Sequence, residues 1–501
     1  MSTTTPYASP PCPPGSRGTP DRDKGHRWAL PVVLVAVFMT TLDFFIVTVA
    51  IPSIRGDLRA GTAAMQFVIA GYGLAYAAGL ILAGRLGDRE GPRRVFSAGL
   101  ALFTLASAVC GTAPTTGVLV TARIGQGLAA ALLAPQVLAL VAALYPGAGR
   151  ARAFGWYGTT VGLAGVSGQL IGGLLVAADP AGLGWRTCFL VNLPLGLAAL
   201  ALVPRLLPEV SGSGPDGKHP GRPGLDGAGA LLLAAGLLAL AGPLSVGREQ
   251  GWPAWTWPAL AAAVPLLAGF VRRQRRRTAA GRTPLLDLKI FREPGFALGL
   301  AAVLALFAGS AGLSFVLTLY LQDGRGLAPA AAGGLVTALN AGFLVGSAVI
   351  GRLTGRLGRR LPIVGGLVLT AGLALLHYAA AGPVEWLAAG LAVAGTGMGW
   401  VMSPLIASVL AEVRGRHAGL AAGVLGTVQE MAGVLGVTAV GTVFFTTLDG
   451  GGAATRGVQP GLMDWTDALR SSLALLIVFA LAIPVLVRSH SRAHARRHSR
   501  G

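Results

Sequence analysis

Fourteen apolar runs, each a candidate to cross a lipid bilayer, dominate this sequence. A hydrocarbon core of about 30 Å needs roughly 20 apolar residues per helix. The runs fall at 28–51, 64–84, 95–112, 116–144, 152–178, 186–204, 226–246, 256–271, 295–321, 329–351, 361–380, 384–410, 418–446 and 467–487, the eighth being the shortest. Backbone groups in lipid find no water, so each run must close its hydrogen bonds internally as a helix. Composition agrees: of 501 residues, 53% are hydrophobic and 12% charged, with mean hydropathy +0.65. An average soluble chain carries about 25% charged residues. A water-soluble enzyme of this size does not fit, and the expected class is an all-α membrane protein with 14 transmembrane helices.

Charge sets the orientation. The chain holds 40 Lys and Arg against 20 Asp and Glu, a net charge of +20. The basic residues sit in short runs between apolar stretches, the pattern of cytoplasmic loops and not of a nucleic-acid-binding domain. With the N-terminus inside, 32 of the 40 fall on the cytoplasmic side, 7 outside, and Arg123 within a span. Trp28, Trp185, Trp252, Trp255, Trp257, Trp386 and Trp465 fall at span ends, as interfacial belts do. The run Arg272 to Arg277 is placed at the cytoplasmic membrane surface. Cys12, Cys110 and Cys188 are too few and too far apart for a disulfide framework or a metal site.

The organisation follows. Residues 1–27, rich in Pro, Ser, Thr and Gly, read as a disordered cytoplasmic N-terminus. The run after them is too long for a cleavable signal. Next come a six-helix bundle at 28–204, a cytoplasmic linker at 205–225 and two extra helices at 226–271. A basic linker at 272–294, a second six-helix bundle at 295–487 and a basic tail at 488–501 complete the chain. Two internal echoes support the division. Gly84-Arg-Leu-Gly-Asp-Arg-Glu-Gly-Pro-Arg-Arg94 matches Gly351-Arg-Leu-Thr-Gly-Arg-Leu-Gly-Arg-Arg360 with one gap. Gly162, Gly165, Gln169 and Gly172 align with Gly423, Gly426, Glu430 and Gly433 at a constant offset. Both echoes join spans eight apart, as in a transporter built from two pseudo-symmetric halves with its site at the midplane.

A phosphate-cradling loop needs Gly-Lys-Ser/Thr, but Lys24, Lys218 and Lys289 are followed by Gly, His and Ile. No metalloprotease, hydrolase or Cys/His metal spacing occurs either, so no enzyme activity, cofactor or metal is implied. Gly395-Thr-Gly-Met-Gly399 lies mid-span, where small residues serve close helix packing. Uphill transport would then draw on an ion gradient or a partner, each proton crossing 100 mV supplying about 2.3 kcal/mol.

Asp43, Arg123 and Glu430 are the charges deep in spans. Each costs roughly 2.5–3.5 kcal/mol at the bilayer centre, so such residues face a cavity or a partner. Asp43 lies about 12 Å below the outer end of helix one and Arg123 about 10 Å below that of helix four, at 1.5 Å per residue. The matching depth predicts that they communicate. In a wet cavity Asp43 would exchange a proton for a cationic substrate; the alternative is a structural acid. Gln126 shares a helix face with Arg123 and would orient it; otherwise Arg123 satisfies carbonyls of helix one. Glu430, mid-membrane in helix thirteen, is a candidate second proton or cation site, or else a protonated acid making one interhelical hydrogen bond. Tyr72 and Tyr76, one turn apart, would line an aromatic cavity that favours cations or simply pack. Gly162, Gly165, Gly168, Gly172 and Gly173 form a packing and rocking surface.

Several stretches together resemble the major facilitator superfamily, and within it the fourteen-helix drug/proton antiporters of the EmrB/QacA type. They are Leu42-Asp-Phe-Phe-Ile-Val-Thr-Val-Ala-Ile-Pro52, Gly84 to Arg94, Arg123-Ile-Gly-Gln-Gly127, Gly162 to Gly173, Trp185-Arg-Thr-Cys-Phe-Leu-Val-Asn-Leu-Pro-Leu-Gly196 and Pro284-Leu-Leu-Asp-Leu288. Thr48 stands where that family usually has Asn, and Val166 and Gln169 occupy a stretch where a Gly-Pro pair is usual. The resemblance implies a transport role at Asp43. It also implies a gate made of Gly84, Asp88, Arg89, Gly91, Arg93 and Arg94 that locks the halves in an outward-open state. Without it, Asp88 reads as a turn residue among positive-inside arginines. The repeat partner Gly355 lacks the acid, so the gate is expected to be asymmetric.

The expected function is a proton-coupled antiporter in the cell membrane, monomeric, with both termini cytoplasmic. It would export hydrophobic drugs or antibiotics, cationic ones included, by alternating access. Its partners would be a small-molecule substrate, protons and the lipid bilayer, with no nucleic acid. The alternatives are a dedicated exporter of one metabolite or self-made antibiotic, and a non-transporting membrane sensor that would have no use for Asp43 and Glu430.

Overall fold

A computed structural model describes residues 20–498, apart from 61, 146–147, 209–225, 248–250, 283, 328, 414–417 and 451–460. Most of the 205–225 linker and the first nineteen residues thus lie outside the described residues. The described residues are helical, without a strand. The first seven helices are α1 Pro20–Asp57, α2 Thr62–Glu90, α3 Pro92–Gly111, α4 Thr116–Leu144, α5 Ala148–Ala178 and the broken pair α6 Thr187–Leu190 and α7 Asn192–Leu206. Then come α8 Gly227–Val246, α9 Thr256–Ala279, α10 Pro294–Leu319, α11 Pro329–Leu357, α12 Leu361–Ala379, α13 Val384–Ala411, α14 Ala418–Gly450 and α15 Leu462–His498. At both ends helix extends beyond the apolar runs: α1 starts at Pro20, ahead of Trp28, and α15 continues to His498.

Thirteen of these segments are long and apolar enough to cross a membrane, α6 and α7 counting together. The run at 256–271 is the exception. It lies in α9, which carries Pro265 and passes into the Arg272 to Arg277 run. Its apolar part reaches about 24 Å, short of a hydrocarbon core.

Local chemistry explains the breaks. Gly91 takes φ 91°, a conformation open to glycine, and Pro92 opens α3 at its first position. Asp226 caps α8 by accepting the Gly229 amide at 3.0 Å. Lipid supplies no hydrophobic force between helices, so they pack through small residues. A Cβ on Gly397 would lie 2.7 Å from Gly365 O, and one on Gly399 2.8 Å from Phe343 O. These two glycines of the Gly395 to Gly399 stretch thus receive neighbouring backbone.

The helices divide by their contacts. α1 to α7 pack among themselves, as do α10 to α15. The seam between the groups is made chiefly by α2 on α14 and α5 on α11, with α4 and α13 joining. These four main seam helices carry both sequence echoes. α8 and α9 form a hairpin, and α8 lies against α2 and α14.

Candidate functional site

α2 and α14 run antiparallel along the seam, and one stripe of each faces the other. At the end with the arginine-rich connections, Asp88 Oδ2 accepts a hydrogen bond from the Leu420 amide at 3.0 Å. Leu420 lies in the first turn of α14, where free N–H groups and the helix dipole favour an anion. Further along, a Cβ on Gly423 would sit 2.6 Å from Leu80 O and 3.0 Å from Ile81 Cα, and one on Gly426 3.1 Å from Leu80 Cδ1. The glycines therefore let the two backbones approach. One more turn brings Glu430 opposite Tyr76, within electrostatic reach of Tyr76 and Tyr72. Glu430 is half-buried and has no ion-pair partner among the described residues. At 1.5 Å per residue it lies about 15 Å above Leu420, half the thickness of a hydrocarbon core.

A second cluster occupies the first group of helices. Arg123 Nη1 donates to Asp43 Oδ2 at 2.5 Å and to Gln126 Oε1 at 2.7 Å, and Nε donates to Val68 O at 3.2 Å. Asp43 Oδ1 accepts from Gln126 Nε2 at 2.9 Å and from Asn192 Nδ2 at 3.0 Å. Ser107 Oγ also accepts from Gln126 Nε2, at 2.7 Å. Asp43 is 0% exposed and Arg123 1%. The predicted communication is thus direct contact. The predicted wet cavity around Asp43 is corrected: the carboxylate is sealed, its charge neutralised by Arg123 and its oxygens held by two amides. Arg123 reaches a carbonyl of α2, not of α1. Burial without such partners would be prohibitive.

The tyrosines join the two clusters. Tyr72, 5% exposed, lays its ring against the Arg123 guanidinium at 4.3 Å, a cation–π contact. Tyr72 and Tyr76 stack at 6.2 Å with 7° between planes. A ladder of contacts therefore runs from Asp43 and Arg123 through Tyr72 to Tyr76, and Glu430 lies within electrostatic reach of its far end. Tyr72 is a buried link in it and does not line an open cavity, as the sequence reading had allowed.

The glycines of α5 divide between two surfaces. A Cβ on Gly162 would lie 2.9 Å from Phe343 Cδ1 of α11, across the seam. Gly165, Gly168 and Gly172 face Phe45 and Ile46 of α1, where a Cβ on Gly168 would lie 2.7 Å from Phe45 Cβ. Gly173 has open space. Only Gly162 in this set bears on the seam, so the expected rocking surface is narrower than the motif. The side chain of Gln169 lies outside the described residues.

The gate stretch is tied down piece by piece. Gly84 is buried and Gly91 makes the turn. Arg89 pairs with Glu90 at 3.0 Å, Arg93 Nη2 donates to Pro204 O at 3.0 Å, and Arg94 is exposed. Arg85 donates to Pro284 O at 2.5 Å and to Leu285 O at 2.6 Å, on the segment leading to α10. On the repeat side, a Cβ on Gly355 would meet nothing within 4 Å.

Sequence reasoning missed Ser107, Asn192 and Tyr157. Asn192 stood inside a quoted motif, and an amide in an apolar run was the available signal. Ser107 gave none, because serines are common in spanning helices. Tyr157 of α5, half-buried, lies within electrostatic reach of Tyr76. Among the described residues no His/Cys/Asp/Glu group could hold a metal ion.

The model of the Major Facilitator Superfamily matches residues 33–437. The chain belongs to the Major Facilitator Superfamily. It is therefore a multi-pass membrane transporter. The "Probable actinorhodin transporter" of Streptomyces coelicolor is 40% identical over 443 residues, 87% of this chain and 75% of that protein. The "Cephamycin export protein CmcT" of Amycolatopsis lactamdurans is 34% identical over 473 residues, 91% of this chain and 92% of that protein. Among solved structures, the human organic anion transporter MFSD10 superposes with a TM-score of 0.63 at 15% identity, covering 92% of this chain and 99% of that one, a likeness of fold. The major facilitator architecture gives the seam its meaning, since a site between two groups of helices is reached from either side as they rock.

Proposed function

We propose that this protein is a proton-driven exporter of hydrophobic drugs or antibiotics, cationic ones included. It would work as a monomer in the cell membrane, with fourteen spans counting α9 and with both termini inside. The observation that carries the reading is Glu430, a mid-membrane carboxylate, half-buried on the seam and without a counter-ion among the described residues. Asp43 is neutralised by Arg123, so it holds the ladder in place while Glu430 takes up and releases the charge.

The cycle follows from this assignment. With Asp88 docked on α14 the arginine-rich end, here the cytoplasmic one, is closed and the seam opens to the other side. A proton arriving from outside neutralises Glu430, and a cationic cargo loses its counter-charge and leaves. Neutralisation lowers the cost of burying the carboxylate, which favours rocking. On the inside the proton departs and cargo returns to the tyrosine-lined face. In this one-for-one exchange of a proton for a singly charged cargo no net charge crosses, so the pH difference drives it, at about 1.4 kcal/mol per unit.

The test is dye transport in proteoliposomes under an imposed pH gradient, comparing wild type with Glu430→Gln and Asp43→Asn. The expected result for Glu430→Gln is loss of gradient-driven transport with downhill exchange retained. Unchanged pH dependence and substrate range would remove Glu430 from the mechanism. A second reading, a dedicated exporter of one metabolite or self-made antibiotic, is supported by relatives named for actinorhodin and cephamycin. A panel of dyes and antibiotics separates the two by the breadth of substrates moved.

A further inference from the structure

α9 and the segment that follows it form an open-sided cavity of about 660 Å³ outside the seam. Its rim carries Arg275, Lys289 and Arg292 against one acid, Asp287, and its apolar wall includes Val271 and Phe291. Ligand cavities commonly measure about 300–1,000 Å³. Val271 is the last apolar residue before the arginine run of α9, so the cavity lies where hydrocarbon gives way to headgroups. Phe291 is 39% exposed. Cations over an apolar wall at that depth match a molecule with an anionic head and a hydrocarbon tail.

The cavity is built and does not depend on a ligand to form. Gln274, 0% exposed, accepts the Leu285 amide at 2.7 Å and the Leu286 amide at 3.3 Å, and donates to Asp226 Oδ2 at 3.0 Å. Arg273 and Arg277 also pair with Asp226. The segment is thereby pinned to α9 while Arg275, Lys289 and Arg292 stay exposed. Asp287 turns one oxygen to the Lys289 amide at 3.0 Å, and the net charge of the wall remains positive. The carbonyls of Pro284 and Leu285 on this pinned segment are the ones that hold Arg85 of α2.

We propose that this cavity binds the phosphate headgroup of an anionic glycerophospholipid of the inner leaflet, with acyl chain against Val271 and Phe291. A bound lipid would brace the segment that grips Arg85, next to Asp88, and so favour closure of the cytoplasmic end. A free phosphate would meet the cations but leave the apolar wall uncovered. The inference rests on the membrane orientation and not on proton coupling.

The experiment measures melting of the detergent-solubilised protein with added phosphatidylglycerol, phosphatidylcholine or inorganic phosphate, and phosphatidylglycerol affinity by native mass spectrometry. Wild type should be stabilised by phosphatidylglycerol alone. Lys289→Ala with Arg292→Ala should weaken that binding by roughly fivefold for each charge removed. Arg272→Ala with Arg276→Ala, removing the same charge from exposed positions beside the cavity, should retain it. Phe291→Ser, which leaves the charge of the wall unchanged, should also weaken it. Equal loss in both double variants, equal stabilisation by phosphatidylcholine, or full stabilisation by inorganic phosphate would overturn the proposal. None of these readouts involves transport, so their failure leaves the exporter reading standing.

Discussion

Asp88 and the backbone amide of Leu420, 332 positions apart, meet at 3.0 Å across the seam. One side chain thus ties the arginine-rich end of α2 to the first turn of α14, and neither helix offers the bond alone. Leu420→Pro removes the donor at a place where the first turn of a helix accepts proline, and Asp88→Ala removes the acceptor. A hydrogen bond to a charged group is worth about 1.5–3 kcal/mol. Both variants should therefore raise opening of that end by roughly tenfold or more, since 1.4 kcal/mol is a factor of ten. Labelling of a cysteine placed at the arginine-rich end reads the opening. A double variant more open than either single one would show that the two residues do not act through this bond.

Removing one member of the Asp43–Arg123 pair strands a buried charge, which costs about 3–5 kcal/mol. Asp43→Asn and Arg123→Gln should each lower thermal stability strongly, and the double variant by clearly less than their sum. Arg123→Lys should fail to rescue, because a single ammonium cannot reproduce the fork that reaches Asp43, Gln126 and Val68 O together. Melting in detergent across this cycle measures the coupling. Strict additivity would mean that the contact contributes nothing.

Gly423 and Gly173 test the seam by contrast. A Cβ on Gly423 would meet Leu80 O at 2.6 Å, whereas one on Gly173 meets nothing within 4 Å. Gly423→Ala should hold α2 and α14 apart, increase labelling at the arginine-rich end and cut transport several-fold. Gly173→Ala should stay within about 0.5 kcal/mol of wild type. The same stability and transport assays apply to both.

Asp226 makes a pH prediction. Burial pushes its carboxyl up, but hydrogen bonds from Gln274, Arg273 and the Gly229 amide, with the Arg277 charge, outweigh burial and hold it below the ordinary value of 3.8. A carboxyl lowered by folding adds stability that is fully present above about pH 4 and is lost as pH falls through the folded-state value. Asp226→Asn keeps a good helix cap but loses the ion pairs, and should melt lower at neutral pH by the equivalent of roughly 2 kcal/mol. The gap should close in acid. A gap independent of pH would show that the charge plays no part.

Much of this architecture could be read from the order of residues, and the reason is physical. A bilayer rejects unpaired backbone and stray charge, so apolar runs locate the helices and the arginines between them mark one face. The same rule made Asp43, Arg123 and Glu430 stand out, because a charge inside such a run demands an explanation. Run 256–271 is the shortest of the fourteen, and it is the one that falls short as an apolar crossing.

What residue order could not decide was which of those three charges is spent. Asp43 and Glu430 look alike as acids in oily helices. Packing alone brings Arg123, Gln126 and Asn192 onto Asp43 and leaves Glu430 facing tyrosines across the seam. Hydropathy is local along the chain, whereas neutralisation depends on which helix faces meet, and small residues such as Gly423 and Gly426 set those faces by how closely they let backbones approach.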